Sequence, residues 1–122
     1  MPRLLMEHLA EAQYEIPTPI QKSAIPSVMM NKDIMACAQT GSGKTAAFLL
    51  PIINKLMEQN KEGFAAETQS PEALIVAPTR ELAVQIHKEC YKFCRGSKII
   101  PQLLYGGTEV RHQRQVILFQ LK

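Results

Sequence analysis

Apolar positions along this chain fall into two rhythms, and the places where the rhythm changes mark its elements. Between 2 and 13, Leu4, Leu5 and Leu9 make an i, i+1, i+5 stripe, which predicts a short amphipathic helix. The next stretch, "YEIPTPIQ" (14–21), cannot continue it, because two closely spaced prolines hold their predecessors out of helical geometry. A second helix is predicted to start near Pro19 with Thr18 as its N-cap, since proline's fixed φ suits a first helical position. Short continuous apolar runs at "DIMACA" (33–38), "ALIVA" (73–77) and "KIIPQLLY" (98–105) predict buried strands. Helical spacing returns in "GKTAAFLLPIINKLMEQ" (43–59), "TRELAVQIHKECYKFC" (79–94) and "TEVRHQRQVILFQ" (108–120). Leu82, Ile86, Cys90 and Phe93 fall on one face of the second of these. The mixed stretch 60–72, with Gly63, Ser70 and Pro71, reads as an exposed loop.

Strands alternating with helices, the strands apolar throughout, predict an α/β domain. Its parallel sheet has about three strands, with right-handed crossovers and flanking helices. A length of 122 residues allows one domain, and 46% apolar with 20% charged residues is ordinary for a soluble globular protein. A net charge of +3 suits a polyanionic partner without requiring one. Three cysteines, an odd number in no disulfide framework, point to a reducing compartment. The N-terminal stretch lacks the apolar run of a signal peptide, and nowhere are there enough consecutive apolar residues to span a membrane. The expectation is a cytoplasmic, or also nuclear, protein.

"AQTGSGKT" (38–45) is the strongest chemical signal, because it follows a predicted strand and opens a predicted helix. Gly41 and Gly43 let backbone N–H groups converge on phosphate oxygens, and the helix N-terminus adds a favourable dipole. Lys44 would meet the β- and γ-phosphates of a nucleotide, and the Thr45 hydroxyl would ligate Mg²⁺. Two further strand-to-helix junctions, "APTRELA" (77–83) and "YGGTEV" (105–110), fall on the same predicted sheet edge, where ligands of open α/β sheets collect. Thr79 and Arg80 at a helix start, with the bare amides of Gly106 and Gly107, suit a sugar-phosphate backbone read without sequence. In "YEIPTPIQ", Tyr14 offers a ring for stacking, and the Gln21 amide offers a donor and an acceptor matching the N7 and N6-amino edge of adenine.

Taken in order, "YEIPTPIQ", "AQTGSGKT", "PTRELA" and the Gly-Gly doublet resemble the Q motif, motif I, motif Ia and GG doublet of the DEAD-box RNA helicases. "MACAQTGSGKTAAFLLPI" looks most like the Vasa-type branch. The resemblance implies a partial RecA-like domain, with 1–22 as the Q-motif region and 23–122 as the N-terminal part of the ATP-binding domain. It also implies ATP or ADP and Mg²⁺ as ligands and RNA as a partner held by its backbone. By resemblance Tyr14 and Gln21 bind adenine, and Ala38, Gln39, Thr40, Gly41, Ser42, Gly43, Lys44 and Thr45 bind phosphates and Mg²⁺. Lys44 would be the catalytic contact, while Pro78, Thr79, Arg80, Gly106 and Gly107 would touch RNA. The chain departs from the family at Gln13, where glycine is usual, and again after Gln115.

Hydrolysis in such a site needs a second acidic element, an Asp for the metal and a Glu for the attacking water. The family's Asp-Glu-Ala-Asp motif does not occur here, nor does its second RecA-like domain. The one aspartate, Asp33, begins the predicted strand at the end remote from Lys44. The expectation is therefore a nucleotide cradle without hydrolysis by this chain alone, within an ATP-dependent RNA helicase. The alternative is a non-catalytic nucleotide- or RNA-binding module. His87, Cys90 and Cys94 read as one partly buried helix face rather than a zinc site, and His8 and His112 as surface residues.

Overall fold

The computed structural model of the chain describes residues 2–59 and 71–107. Helices α1 (Arg3–Glu11), α2 (Pro19–Met29), α3 (Lys44–Gln59) and α4 (Arg80–Cys94) follow one another along these residues. Helix α3 is the pivot, packing against both α2 and α4, while α4 in turn packs against α1. Its spacing explains why: Ala46, Leu49, Leu50 and Ile53 repeat at i, i+3, i+4 and i+7, and all four are buried. Leu5, Ile86, Phe93 and Cys94 complete this core from α1 and α4.

Helices α1 and α2 end in the same way. After α1 the Gln13 N–H donates to the Ala10 carbonyl at 3.0 Å and the Tyr14 N–H to Leu9 at 2.9 Å. After α2 the Asn31 N–H donates to Val28 at 2.9 Å and the Lys32 N–H to Ser27 at 3.1 Å. Both are Schellman turns, which need a left-handed residue just past the helix. That residue is Asn31 in one (φ 58°) and Gln13 in the other (φ 59°). Asparagine tolerates this region, whereas a glutamine there is strained by roughly 1–2 kcal/mol. Gln13→Gly should relieve this, less about 0.4–1 kcal/mol for the freer unfolded chain. The net expectation is a gain of roughly 0.5–1 kcal/mol. Urea melts of both proteins test it, and a lowered midpoint would refute it.

One sequence reading needs correction. His8 is 6% exposed rather than on the surface, and its Nδ1 lies 3.0 Å from the Phe93 carbonyl of α4. It occupies the helix position between Leu5 and Leu9, so burying that stripe buries the imidazole too, and Phe93 supplies the polar partner it then needs. An Arg95 to Glu11 ion pair (2.5 Å) joins the same two helices at the surface.

The expected parallel sheet is not seen among the described residues. Among the described residues 33–38, 73–77 and 98–105 are not assigned as strands. A strand exists through its ladder of hydrogen bonds to a neighbour, and these segments form none with one another. Their side chains stay in solvent instead, Met35 fully, Leu74 at 83% and Val76 at 82%. Only Ala77 and Ile99 reach the helical core. The predicted helix 108–120, His112 and loop residues 60–70 lie outside the described residues.

Candidate functional site

The loop that opens α3 has the form a polyphosphate requires. Gly41 (φ 79°) and Gly43 (φ 83°) both take the left-handed conformation, which glycine adopts without strain. The Ser42 N–H closes a turn onto the Gln39 carbonyl at 3.2 Å, and the Gly43 carbonyl accepts the first helical bond, from the Ala47 N–H at 3.1 Å. The N–H groups of the first turn, from Lys44 onward, have no partner inside the helix and carry its positive end. Lys44 itself is exposed, and its ammonium reaches back across the loop to donate to the Ala38 carbonyl. A phosphate oxygen would be the stronger acceptor, because both partners would then be charged.

The Ser42 hydroxyl is buried without a hydrogen-bond partner, an orphaned polar atom inside the loop. The residues present therefore fit a nucleotide's phosphates. Thr45, half-buried in the first turn of α3, offers one hard oxygen. This suits Mg²⁺, which takes few protein ligands and fills its shell with phosphate and water.

Gln21 joins the first segment to this loop. It is 3% exposed on the first turn of α2. Its Oε1 accepts from the Thr18 N–H at 3.0 Å, and its Nε2 donates to the Gly43 carbonyl at 3.2 Å. An amide has two donor hydrogens and two acceptor lone pairs, so one of each remains. The Thr18 hydroxyl, beside Gln21, is also buried and unpartnered. So close is the packing that a Cβ on Gly43 would lie 2.4 Å from Gln21 Nε2 and 3.2 Å from Thr18 Oγ1.

Tyr14 is placed differently. Its ring stands edge-on to Phe93, 5.7 Å between centroids, and among the described residues no hydrogen bond or ring contact joins it to Gln21 or the loop. Burial first, and then the Glu89 carboxylate, push its hydroxyl above the usual phenol range, which keeps it neutral.

The third and fourth segments meet. The Thr79 hydroxyl caps α4 by accepting from the Leu82 N–H at 3.2 Å, which leaves Pro78, Thr79 and Arg80 exposed at that helix's start. Arg80 donates to the Tyr105 hydroxyl at 3.3 Å, with its guanidinium carbon 4.2 Å above the Tyr105 ring. Exposed Gly106 and Gly107 (φ 85°) follow directly. Tyr105 was not legible as part of this cluster, because nothing local marks an aromatic as the platform for an arginine 25 residues earlier.

Elsewhere, His87 Nε2 lies 3.2 Å from the Pro101 carbonyl. Among the described residues no group of three or more His, Cys, Asp or Glu could hold a metal ion, and no helix is long and apolar enough to cross a membrane.

The ATP-dependent RNA helicase vasa of Drosophila melanogaster is 50% identical over 114 residues, covering 93% of this chain and 17% of that protein. The ATP-dependent RNA helicase DDX4 of Mus musculus is 49% identical over 118 residues, covering 93% of this chain and 16% of that protein. The chain thus spans less than a fifth of the length of these relatives. Among solved structures, the RNA helicase Prp28 of Chaetomium thermophilum bound to ADP superposes with a TM-score of 0.80 at 39% identity, covering 93% of this chain and 27% of that one. A DEAD box protein from Methanococcus jannaschii gives a TM-score of 0.77 at 31% identity, covering 96% of this chain and 30% of that one. The DEAD/DEAH box helicase model matches residues 18–121, from the Thr18 cap of α2 through the glycine loop that opens α3 and past the Gly-Gly turn, and the chain belongs to that family.

Proposed function

We propose that this chain is the nucleotide-binding and RNA-backbone-binding part of an ATP-dependent RNA helicase. Residues 1–22 form its Q-motif region and 23–122 the N-terminal part of a RecA-like ATP-binding domain. In that domain the extended segments 33–38, 73–77 and 98–105 are strands of a parallel sheet. Ala38 to Thr45 hold the phosphates of ATP or ADP, with Lys44 on the β- and γ-phosphates and Thr45 on Mg²⁺. The metal, when bound, neutralises phosphate charge. Gln21 and Tyr14 serve adenine, and Pro78, Thr79, Arg80, Gly106 and Gly107 hold the sugar-phosphate backbone of RNA without reading its sequence.

One observation carries the reading: Gln21 binds the Gly43 carbonyl, tying a base-selecting segment to a phosphate-holding one 22 residues away. The donor and acceptor left on its amide match adenine's N7 and N6-amino group. Guanine presents an acceptor, O6, where adenine has that donor, and an acceptor left unpaired costs about 1–3 kcal/mol.

Titration calorimetry of ADP and GDP tests the assignment. The chain should prefer ADP, and Gln21→Ala should shrink that preference roughly tenfold. The same change leaves the Thr18 N–H unpaired and removes one of the two bonds the Gly43 carbonyl accepts, so affinity for both nucleotides should fall as well. Lys44→Ala should weaken both together and leave their ratio unchanged, because phosphates are common to all nucleotides. Equal binding of GDP and ADP by the unaltered chain would remove Gln21 from the adenine site.

A further inference from the structure

Neither thiol on α4 has a part in the site described above, yet the two sulfurs touch. Cys90 and Cys94 stand one turn apart with their Sγ atoms 3.9 Å from each other. Cys90 is part-exposed, whereas Cys94 is 2% exposed and lines a cavity of ≈ 190 Å³ with Tyr91, Ser97 and Ile99. We propose that Cys90 and Cys94 form a hydroperoxide-reactive dithiol, with Cys90 the attacking sulfur and Cys94 the resolving one.

Exposure divides the roles. Of the two, only Cys90 is open to a reagent from solvent; Cys94 needs to meet nothing but Cys90, whose sulfur it already touches. The contact between them acts in the same direction. A hydrogen bond from the Cys94 thiol lowers the pKa of Cys90 against the effect of its burial, favouring the thiolate. That contact, with burial and the Cys90 charge, pushes Cys94 up and keeps it a thiol.

In the first step the Cys90 thiolate attacks the outer oxygen of a hydroperoxide. The S–O bond forms, the O–O bond breaks, and the alcohol (water, for hydrogen peroxide) leaves after taking a proton. Cys90 is now a sulfenic acid. Cys94 sulfur then attacks Cys90 sulfur, the S–S bond forms, and the sulfenic oxygen departs as water with the Cys94 proton. Two thiols and one hydroperoxide give one disulfide, one alcohol and one water.

The bond does not fit an undistorted helix. Residues four apart on a helix hold their Cβ atoms about 5–6 Å apart, whereas a disulfide needs about 3.5–4.5 Å. Closing it must tighten the last turn of α4. That turn bears the Phe93 carbonyl facing His8 and ends at Arg95, paired with Glu11, so the contacts that hold α1 are the ones displaced. A strained disulfide of this kind is readily reduced again.

The test uses the full chain with exposed Cys37 changed to Ser, which prevents links between molecules. After hydrogen peroxide and tryptic cleavage at Lys92, peptides 89–92 and 93–95 should be recovered joined, and should separate on reduction. Hydrogen exchange of the intact oxidised chain should show lost protection over α1, restored by reductant. Cys90→Ser should abolish both effects, while Cys94→Ala should leave Cys90 as a sulfenic acid that a dimedone probe captures. Recovery of Cys90 as sulfinic acid with Cys94 still a free thiol would overturn the dithiol. A joined pair with unchanged α1 exchange would overturn the link to α1.

Discussion

Phe93→Ala should cost the chain about 3–5 kcal/mol of folding stability, the range for deleting a buried aromatic. Phe93 is 0% exposed and belongs to the core cluster formed with Leu5, Leu49, Leu50 and Ile53. Its ring also gives Tyr14 an edge-on contact, worth about 0.5–1.5 kcal/mol beyond the buried area. Since whole domains are stable by only about 5–15 kcal/mol, this single change should remove a large share of the chain's stability. The His8 contact uses the Phe93 backbone carbonyl and is not itself removed, so the loss reads packing rather than that bond. Equilibrium urea melts of Phe93→Ala beside Phe93→Leu measure it. A penalty under about 1 kcal/mol for the alanine would mean that this is not the centre of the core.

Gly43→Ala should destabilise the chain by roughly 2–5 kcal/mol, whereas Gly41→Ala should cost only about 1–2 kcal/mol. Both glycines have left-handed φ, so both substitutions meet the same backbone strain. They differ in their surroundings. A Cβ at Gly41 meets nothing within 4 Å, but at Gly43 it would fall 2.4 Å from Gln21 Nε2. Gln21 would have to leave, and it cannot do so freely, because it is 3% exposed and bonded at both ends of its amide. Its eviction adds about 1–3 kcal/mol for the groups left unpaired. Combining each change with Gln21→Ala isolates this contribution. The two alanine penalties should converge once the glutamine is gone. If they are already equal with Gln21 in place, the close packing of the two segments has no energetic weight.

Local chemistry made much of this protein readable in advance. Thr18-Pro19 and Thr79 mark where α2 and α4 begin because proline geometry and hydroxyl capping act over three or four residues. The conformation of the loop before α3 was legible for the same reason, since two glycines and a lysine at the head of an apolar helix dictate it nearly unaided. Local rules misled where the deciding partner is remote in the chain. His8 looked like a surface residue because nothing near it shows the Phe93 carbonyl, 85 residues on, that satisfies it. The sheet is a separate case: the composition of runs 33–38, 73–77 and 98–105 marks candidate strands, while the ladder bonds that make a strand come from a neighbouring segment. At Gln13 the sequence shows a departure from the family's glycine, and only the backbone shows its cost, a left-handed residue in a Schellman turn. By itself the sequence determined the four helices of the described residues, the glycine turn that opens α3 and the family. Tertiary structure decided that Gln21 closes on Gly43, that Arg80 lies over Tyr105 and that Tyr14 leans on Phe93, because each is a contact between segments remote in the chain that only the packing of the helices brings together.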